Sequence, residues 1–236
     1  MKVIAIIPAR GGSKGIPNKN LQKIGKNSLI KQSIIHAKQS KFINRIIVST
    51  DSQKIKDEAI KNGAEVPFLR PKKISGNNST TFQVIEHCVN FLQKAEGVIP
   101  DIIVILQPTT PFRDKKMIDS SIKKLKNHCT SVISVTNVKM HPSILFNKKN
   151  NFLIPFEKTF EKNTIRQKRR KMYCPNGSVY TFWTKNLKKY NSFYGPKISP
   201  LIIKEEKLNL DIDTQFELFI ANKVLNSWKK FQRKLK

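Results

Sequence analysis

Acidic residues are scarce in this chain: 16 Asp and Glu face 45 Lys and Arg over 236 residues, a formal charge of +29. Cysteine is scarcer still. Cys88, Cys129 and Cys174 are odd in number, far apart and without a Cys-x-x-Cys pair. That pattern argues against a disulfide frame or a thiolate zinc site and for free thiols in a reducing compartment. Long apolar runs are missing too. The run at residues 3–7 is far too short for a signal-peptide core or a membrane span, and no later stretch is long enough. A soluble, cytoplasmic protein with no membrane partner is therefore expected. His36, His87, His128 and His141 have no partners at metal-ligand spacing. No serine has the flanking glycines of a nucleophile elbow, which leaves covalent hydrolysis without support.

The excess of positive charge invites a nucleic-acid reading. The lysines, however, are spread along the whole chain and accompany abundant Asn and Ile, as an adenine- and thymine-rich coding sequence would produce. The charge is taken as a background that favours anionic substrates, with no nucleic-acid partner expected.

What is present is a regular alternation. Apolar, β-branched runs at residues 3–7, 45–50, 101–107 and 131–135 read as strands buried on both faces. Between them, residues 29–37, 51–62, 81–95 and 117–126 carry helical spacing, with Gly63 as one stop signal. This order implies an α/β fold, a doubly wound and mainly parallel sheet with helices on both faces. The length suits one domain over 1–236. From 138 to 174 the apolar residues thin out, and Lys148-Lys149-Asn150-Asn151 reads as a hairpin turn. Strands follow at 177–183 and 200–203. A last helix from about Thr214 carries Phe216, Phe219, Ile220, Val224, Leu225, Trp228, Phe231 and Leu235 on one face, which is expected to cover the sheet.

The first strand runs into Pro8-Ala9-Arg10-Gly11-Gly12-Ser13-Lys14-Gly15-Ile16-Pro17-Asn18-Lys19-Asn20. A central strand ending in a glycine-rich loop leaves backbone N–H groups at the carboxyl edge of the sheet, where open α/β sheets bind ligands. Arg10, Lys14 and Lys19 add three cations, and a polyphosphate is the anion that would satisfy them. The spacing is neither Gly-x-x-x-x-Gly-Lys-Ser/Thr nor Gly-x-Gly-x-x-Gly. Near the other end, Asp211 and Asp213 stand two apart on an extended segment, so both carboxylates point the same way. They suit Mg²⁺ (or Mn²⁺) shared with a nucleotide. Taken alone, an Asp-x-Asp favours the plainer reading, in which Asp213 caps the following helix.

The string from Ile7 to Asn20 closely resembles the signature of the acylneuraminate cytidylyltransferases, the CMP-sialic acid synthetases and their relatives for legionaminic and pseudaminic acids. Gln107-Pro108-Thr109-Thr110-Pro111-Phe112-Arg113 resembles the second signature of that family. Arg166-Gln167 with Pro175-Asn176-Gly177-Ser178-Val179-Tyr180 resembles the third. The resemblance implies a Rossmann-like nucleotidyltransferase that joins CTP to a nine-carbon sugar acid and works as a homodimer, residues 138–174 supplying the dimerisation arm. It implies that Arg10, Lys14, Lys19, Asp211 and Asp213 are catalytic, the two aspartates holding the metal. Ala9, Gly11, Gly12, Ser13, Asn20, Arg70 and Ser79 would join those cations in binding the nucleotide. Gln107, Arg166, Asn176, Tyr180, Phe193 and Tyr194 would meet the sugar acid. Arg113 reads as structural. Two alternatives stand beside this: cytidylyl transfer to 3-deoxy-manno-octulosonate, whose enzymes lack Gly-Gly-Ser-Lys-Gly, and a basic nucleic-acid-binding module without turnover.

Overall fold

The structure, a computed structural model, describes residues 1–126, 128–156 and 169–234. In chain order the strands and helices are β1 (Val3–Pro8), β2 (Lys23–Ile24), β3 (Asn27–Ser28), α1 (Leu29–Lys38), β4 (Arg45–Ser49), α2 (Gln53–Lys61), α3 (Thr81–Glu96) and β5 (Ile102–Ile105). They continue with α4 (Met117–Leu125), β6 (Ser131–Asn137), β7 (Phe146–Lys149), β8 (Phe152–Pro155), β9 (Tyr173–Trp183), α5 (Lys185–Tyr190), β10 (Ile198–Ile202) and α6 (Gln215–Lys234). A six-stranded sheet in the order β10-β6-β9-β5-β1-β4 forms the frame. The expected α/β architecture, mainly parallel, is present.

Strict alternation divides the core. Val3, Ala5 and Ile7 face one side of β1 and pack with Ile30 and Ile34 of α1, Ala59 of α2 and Ile122 of α4. Ile4 and Ile6 face the other side and pack with Ile85, Cys88 and Leu92 of α3. A strand buried on both faces can afford no polar residue, which is why the run is unbroken. Local signals set the helix limits: Thr80 and Gln83 form a reciprocal capping box at the start of α3, and Gly97 closes it in the left-handed region. All three cysteines are free, and burial pushes the Cys88 thiol up to about 12. Among the described residues no helix is long and apolar enough to cross a membrane.

One strand runs against the rest. β9 pairs antiparallel with both β5 and β6, while β1 is parallel to β4 and β5, and β10 to β6. The reversal matters for the site. Because β9 is antiparallel, its beginning, with Asn176 and Gly177, reaches the edge where β1, β4 and β5 end.

The last helix departs from expectation. It does not cover the sheet: it lies against the β2–β3 hairpin and meets the core through Leu218 and Ala221, beside Ile16, Ile24, Leu29 and Ile212. Asn222 accepts from the Gly25 amide at 3.0 Å, which fixes this docking. Phe216 (70 % exposed), Phe219, Leu225 and Phe231 stay largely in solvent, and Leu235 lies outside the described residues. With both sheet faces already covered by α1, α2, α4 and α3, no face remains for it. The expected turn at residues 148–151 is found where β7 and β8 pair as a two-stranded antiparallel hairpin. Phe152, Leu153, Ile154 and Phe156 are exposed on it.

Candidate active site

The carboxyl ends of β1 and β5 open onto a cleft of about 510 Å³. Arg10, Ser13, Lys14, Gly15, Lys19 and Asn20 line one wall, and Asp211 and Asp213 face them. Gln107, Pro108 and Thr109 lie between, while Arg70, Asn77 and Ser79 complete the lining. Residues from both ends of the sequence thus share one cavity.

The glycine-rich loop is held from below. The Ala9 amide continues the sheet ladder by donating to the Ser49 carbonyl at 2.9 Å, and its side chain is buried in the core. The Gly11 amide donates to Asp51 Oδ1 at 2.8 Å. A Cβ on Gly11 would stand 2.9 Å from the Ser52 Cβ, so the loop can lie this close only as glycine. Asn20, 5 % exposed, donates to the Arg10 carbonyl at 2.8 Å, and the Arg10 guanidinium donates to the Gly76 carbonyl at 3.1 Å. Arg10 therefore bridges the glycine loop and the loop before α3.

Contact between the two walls is direct. Lys19 Nζ pairs with Asp213 Oδ1 at 2.6 Å across 194 positions of sequence. A Cβ on Gly15 would stand 2.2 Å from the Asp213 carbonyl oxygen. The segment is also tied to the centre of the cleft, where the Ile212 amide donates to the Thr109 carbonyl at 2.9 Å. Asp213 does not cap α6 with its side chain. Thr214 does so, its hydroxyl accepting from the Glu217 amide at 3.3 Å while Glu217 Oε2 accepts from the Thr214 amide at 2.8 Å. Both aspartate carboxylates are thereby left to the cleft.

Desolvation raises the Asp211 carboxyl above the usual carboxylate range; a Thr109 hydrogen bond lowers it and Asp213 raises it again. Lys19 lowers it too, yet a single ammonium stands against two carboxylates. Two hard oxygen donors facing a nucleotide-sized cleft fit Mg²⁺ or Mn²⁺, which is commonly held by one or two carboxylates plus substrate phosphates.

Arg70 is 6 % exposed and donates to the Ser49 carbonyl at 3.2 Å, while its Nε has no partner among the described residues. Burial lowers its pKa first, Asp51 raises it and Arg10 lowers it. Gln107 lies two residues beyond the end of β5, closer to the cleft than a strand terminus would be.

Other candidates stand apart from this lining. Asn176 donates to Asn209 Oδ1 at 2.7 Å and accepts from the Ser178 amide at 3.2 Å, so its side chain braces the chain leading to Asp211. Phe193 sits among rings, 6.0 Å from Tyr180, 5.5 Å from Phe182 and 4.3 Å from Tyr194 between centroids. Burial, and then Tyr194, push the Tyr180 phenol up to about 12. Gly12 follows Gly11 without lining the cleft, and Arg166 lies outside the described residues. Sequence reasoning passed over Asp51 and Thr109. Asp51 ends the β4 run at the same sheet edge, a position that marks it, but its place before α2 made it read as the start of a helix.

A family model described as Cytidylyltransferase matches residues 4–191. The chain belongs to the cytidylyltransferase family. The match covers the glycine loop, Gln107 and the start of β9, and the resemblance to the acylneuraminate cytidylyltransferases is borne out. The cytidylyltransferase is 33 % identical over 229 residues to the CMP-N,N'-diacetyllegionaminic acid synthase of Legionella pneumophila, covering 95 % of this chain and 97 % of that one. It is 31 % identical to the N-acylneuraminate cytidylyltransferase of Escherichia coli, over 93 % of this chain and 52 % of the relative. Among solved structures, CMP:2-keto-3-deoxy-manno-octonic acid synthetase complexed with CTP superposes with a TM-score of 0.70 at 14 % identity, covering 96 % of this chain and 99 % of that one. That likeness supports the nucleotidyltransferase fold. The enzyme is a nucleotidyltransferase.

Proposed function

We propose that this cytidylyltransferase joins CTP to an acylated nine-carbon 2-keto sugar acid, giving the CMP-sugar and pyrophosphate. The observation that carries the reading is the meeting of Lys14 and Lys19 with Asp211 and Asp213 in one cleft, with Gln107 between them. Relatives named for legionaminic and N-acylneuraminic acid transfer support an acceptor of that class. Catalysis by this chain is positioning and charge neutralisation. Arg10, Lys14 and Lys19 bind the triphosphate and stabilise the departing pyrophosphate, while the loop backbone at Gly12 and Ser13, held in place by the Gly11–Asp51 bond, adds donors. Asn20 orients the ribose. Arg70, with an unused N–H, and Ser79 recognise the base. Gln107 and Arg166 orient the acid so that its anomeric hydroxyl oxygen bonds to the α-phosphorus as the bond from the α-phosphorus to the bridging β-phosphate oxygen breaks, the hydroxyl proton passing to water. Asn176, Tyr180, Phe193 and Tyr194 support that half of the cleft.

Asp211 and Asp213 would hold a divalent cation, which supplies charge neutralisation at the phosphate oxygens. Lys19, paired here with Asp213, stands where it would reach the triphosphate oxygens. The apolar β7–β8 hairpin is the arm by which two copies associate.

The test is pyrophosphate release from CTP with Mg²⁺ and a panel of neuraminic, legionaminic, pseudaminic and 3-deoxy-manno-octulosonic acids. Release is expected with at least one nine-carbon acid and not with the eight-carbon acid. Release with the eight-carbon acid alone, or silence across the panel, would refute the reading.

A further inference from the structure

Arg113 is buried without an ion-pair partner among the described residues, the Asp211 carboxylate favouring its charge only from farther off. Arg113 is 7 % exposed. Its donors go to neutral acceptors instead. Nη2 donates to the Gln107 carbonyl at 2.6 Å and to the Thr110 hydroxyl at 3.0 Å, and Nε donates to the Ser178 carbonyl at 2.8 Å. Nη1 reaches Ser33 Oγ and His36 Nδ1, each at 3.4 Å. Burial brings the guanidinium down to about 9, which leaves it charged at neutral pH, and holds His36 down to about 3, with Arg113 adding to the effect.

A buried charge of this kind is a poor device for stability, since a well-packed apolar side chain of similar volume commonly does as well. The placement of its partners points to another use. Gln107 carries the side chain between the two walls of the cleft. Its Oε1 would lie 2.8 Å from a Cβ on Gly177, whose φ is +77°, so this carboxamide is packed against the start of β9. One guanidinium therefore fastens the loop 107–110 to β9 and α1. Among the described residues no hydrogen bond joins it to the glycine-rich loop or to Arg70.

We propose that Arg113 is a positioning residue for the acceptor half of the cleft, setting the Gln107 carboxamide against Gly177 and Ser178. This rests on the sugar-acid reading above. Transfer depends on that geometry, because displacements near 1 Å in a reacting pair cost about a hundredfold in rate. Nucleotide binding uses the other wall and does not.

The experiment compares wild type, Arg113→Lys, Thr110→Val and Leu125→Ala in steady state, with the acid that the wild type accepts. Leu125 is fully buried in α4, so Leu125→Ala lowers stability without touching the clamp. Lysine keeps the charge and loses the fork. For Arg113→Lys, kcat is expected to fall at least tenfold and KM for the acid to rise about tenfold, with KM for CTP within twofold of wild type. Thr110→Val should show the same split at about threefold, and it carries the test if Arg113→Lys does not fold. Leu125→Ala should lose thermal stability and keep its kinetic constants. Equal changes in both KM values, or wild-type constants in the clamp variants, would overturn the proposal. A wild type that transfers to no acid would instead remove the reading on which it rests.

Discussion

Asp211→Ala and Asp213→Ala are each expected to lose roughly a hundredfold to a thousandfold in kcat while keeping their melting temperatures within a few degrees of wild type. The size follows from what charge placement contributes in phosphoryl-type transfer, where one aligned electrostatic group is worth about two to three powers of ten. The small stability cost follows from exposure. The Asp213 carboxylate is 70 % exposed in its pair with Lys19, and exposed pairs add little to stability. Asp211 favours the buried Arg113 charge only from beyond ion-pair distance, and its neighbour Thr109 lines the open cleft. Initial rates over a range of Mg²⁺ concentration, read beside a thermal melt, check both halves. Wild-type rates in either variant would sever the acidic pair from catalysis. A matching collapse of stability would make it a folding element.

Gly15→Ala should be as damaging for a different reason. Its Cβ would fall 2.2 Å from the Asp213 carbonyl oxygen, a backbone atom that cannot turn aside. The glycine loop and the aspartate segment would have to part by about an ångström, enough for roughly a hundredfold loss in turnover. Gly12→Ala provides the contrast. Nothing lies within 4 Å of a Cβ there, and its φ is not in the left-handed region. Gly12→Ala should therefore retain at least tenfold more activity than Gly15→Ala. Equal kcat in the two would show that the walls need not touch.

Much of this was legible in the chain because the signals were local. The unbroken apolar run of β1 and the helical spacing from 81 to 95 each depend on a few neighbouring residues, and each lies where its pattern places it. The pairing of Lys19 with Asp213 spans nearly the whole chain; motif resemblance implied a shared site but not the contact. What was illegible depended on tertiary occupancy. The face of α6 has the spacing of a covering helix, yet both sheet faces were taken by other helices, so Phe216 and Phe219 remain exposed. The antiparallel course of β9 is likewise a property of the whole sheet, since the same residues pair in either direction. Arg113 looked structural because a lone arginine shows nothing of its acceptors. Only the folded loop brings the Gln107 carbonyl and Ser178 to its guanidinium.

The most direct measurement is a crystal structure of the protein with CTP and Mg²⁺. The triphosphate is expected between the loop 10–15 and Asp211, with Lys14 and Lys19 on its oxygens, the cation on the two aspartates and the base beside Arg70. A nucleotide bound elsewhere, with Lys19 still paired to Asp213 and the cleft empty, would contradict the central claim.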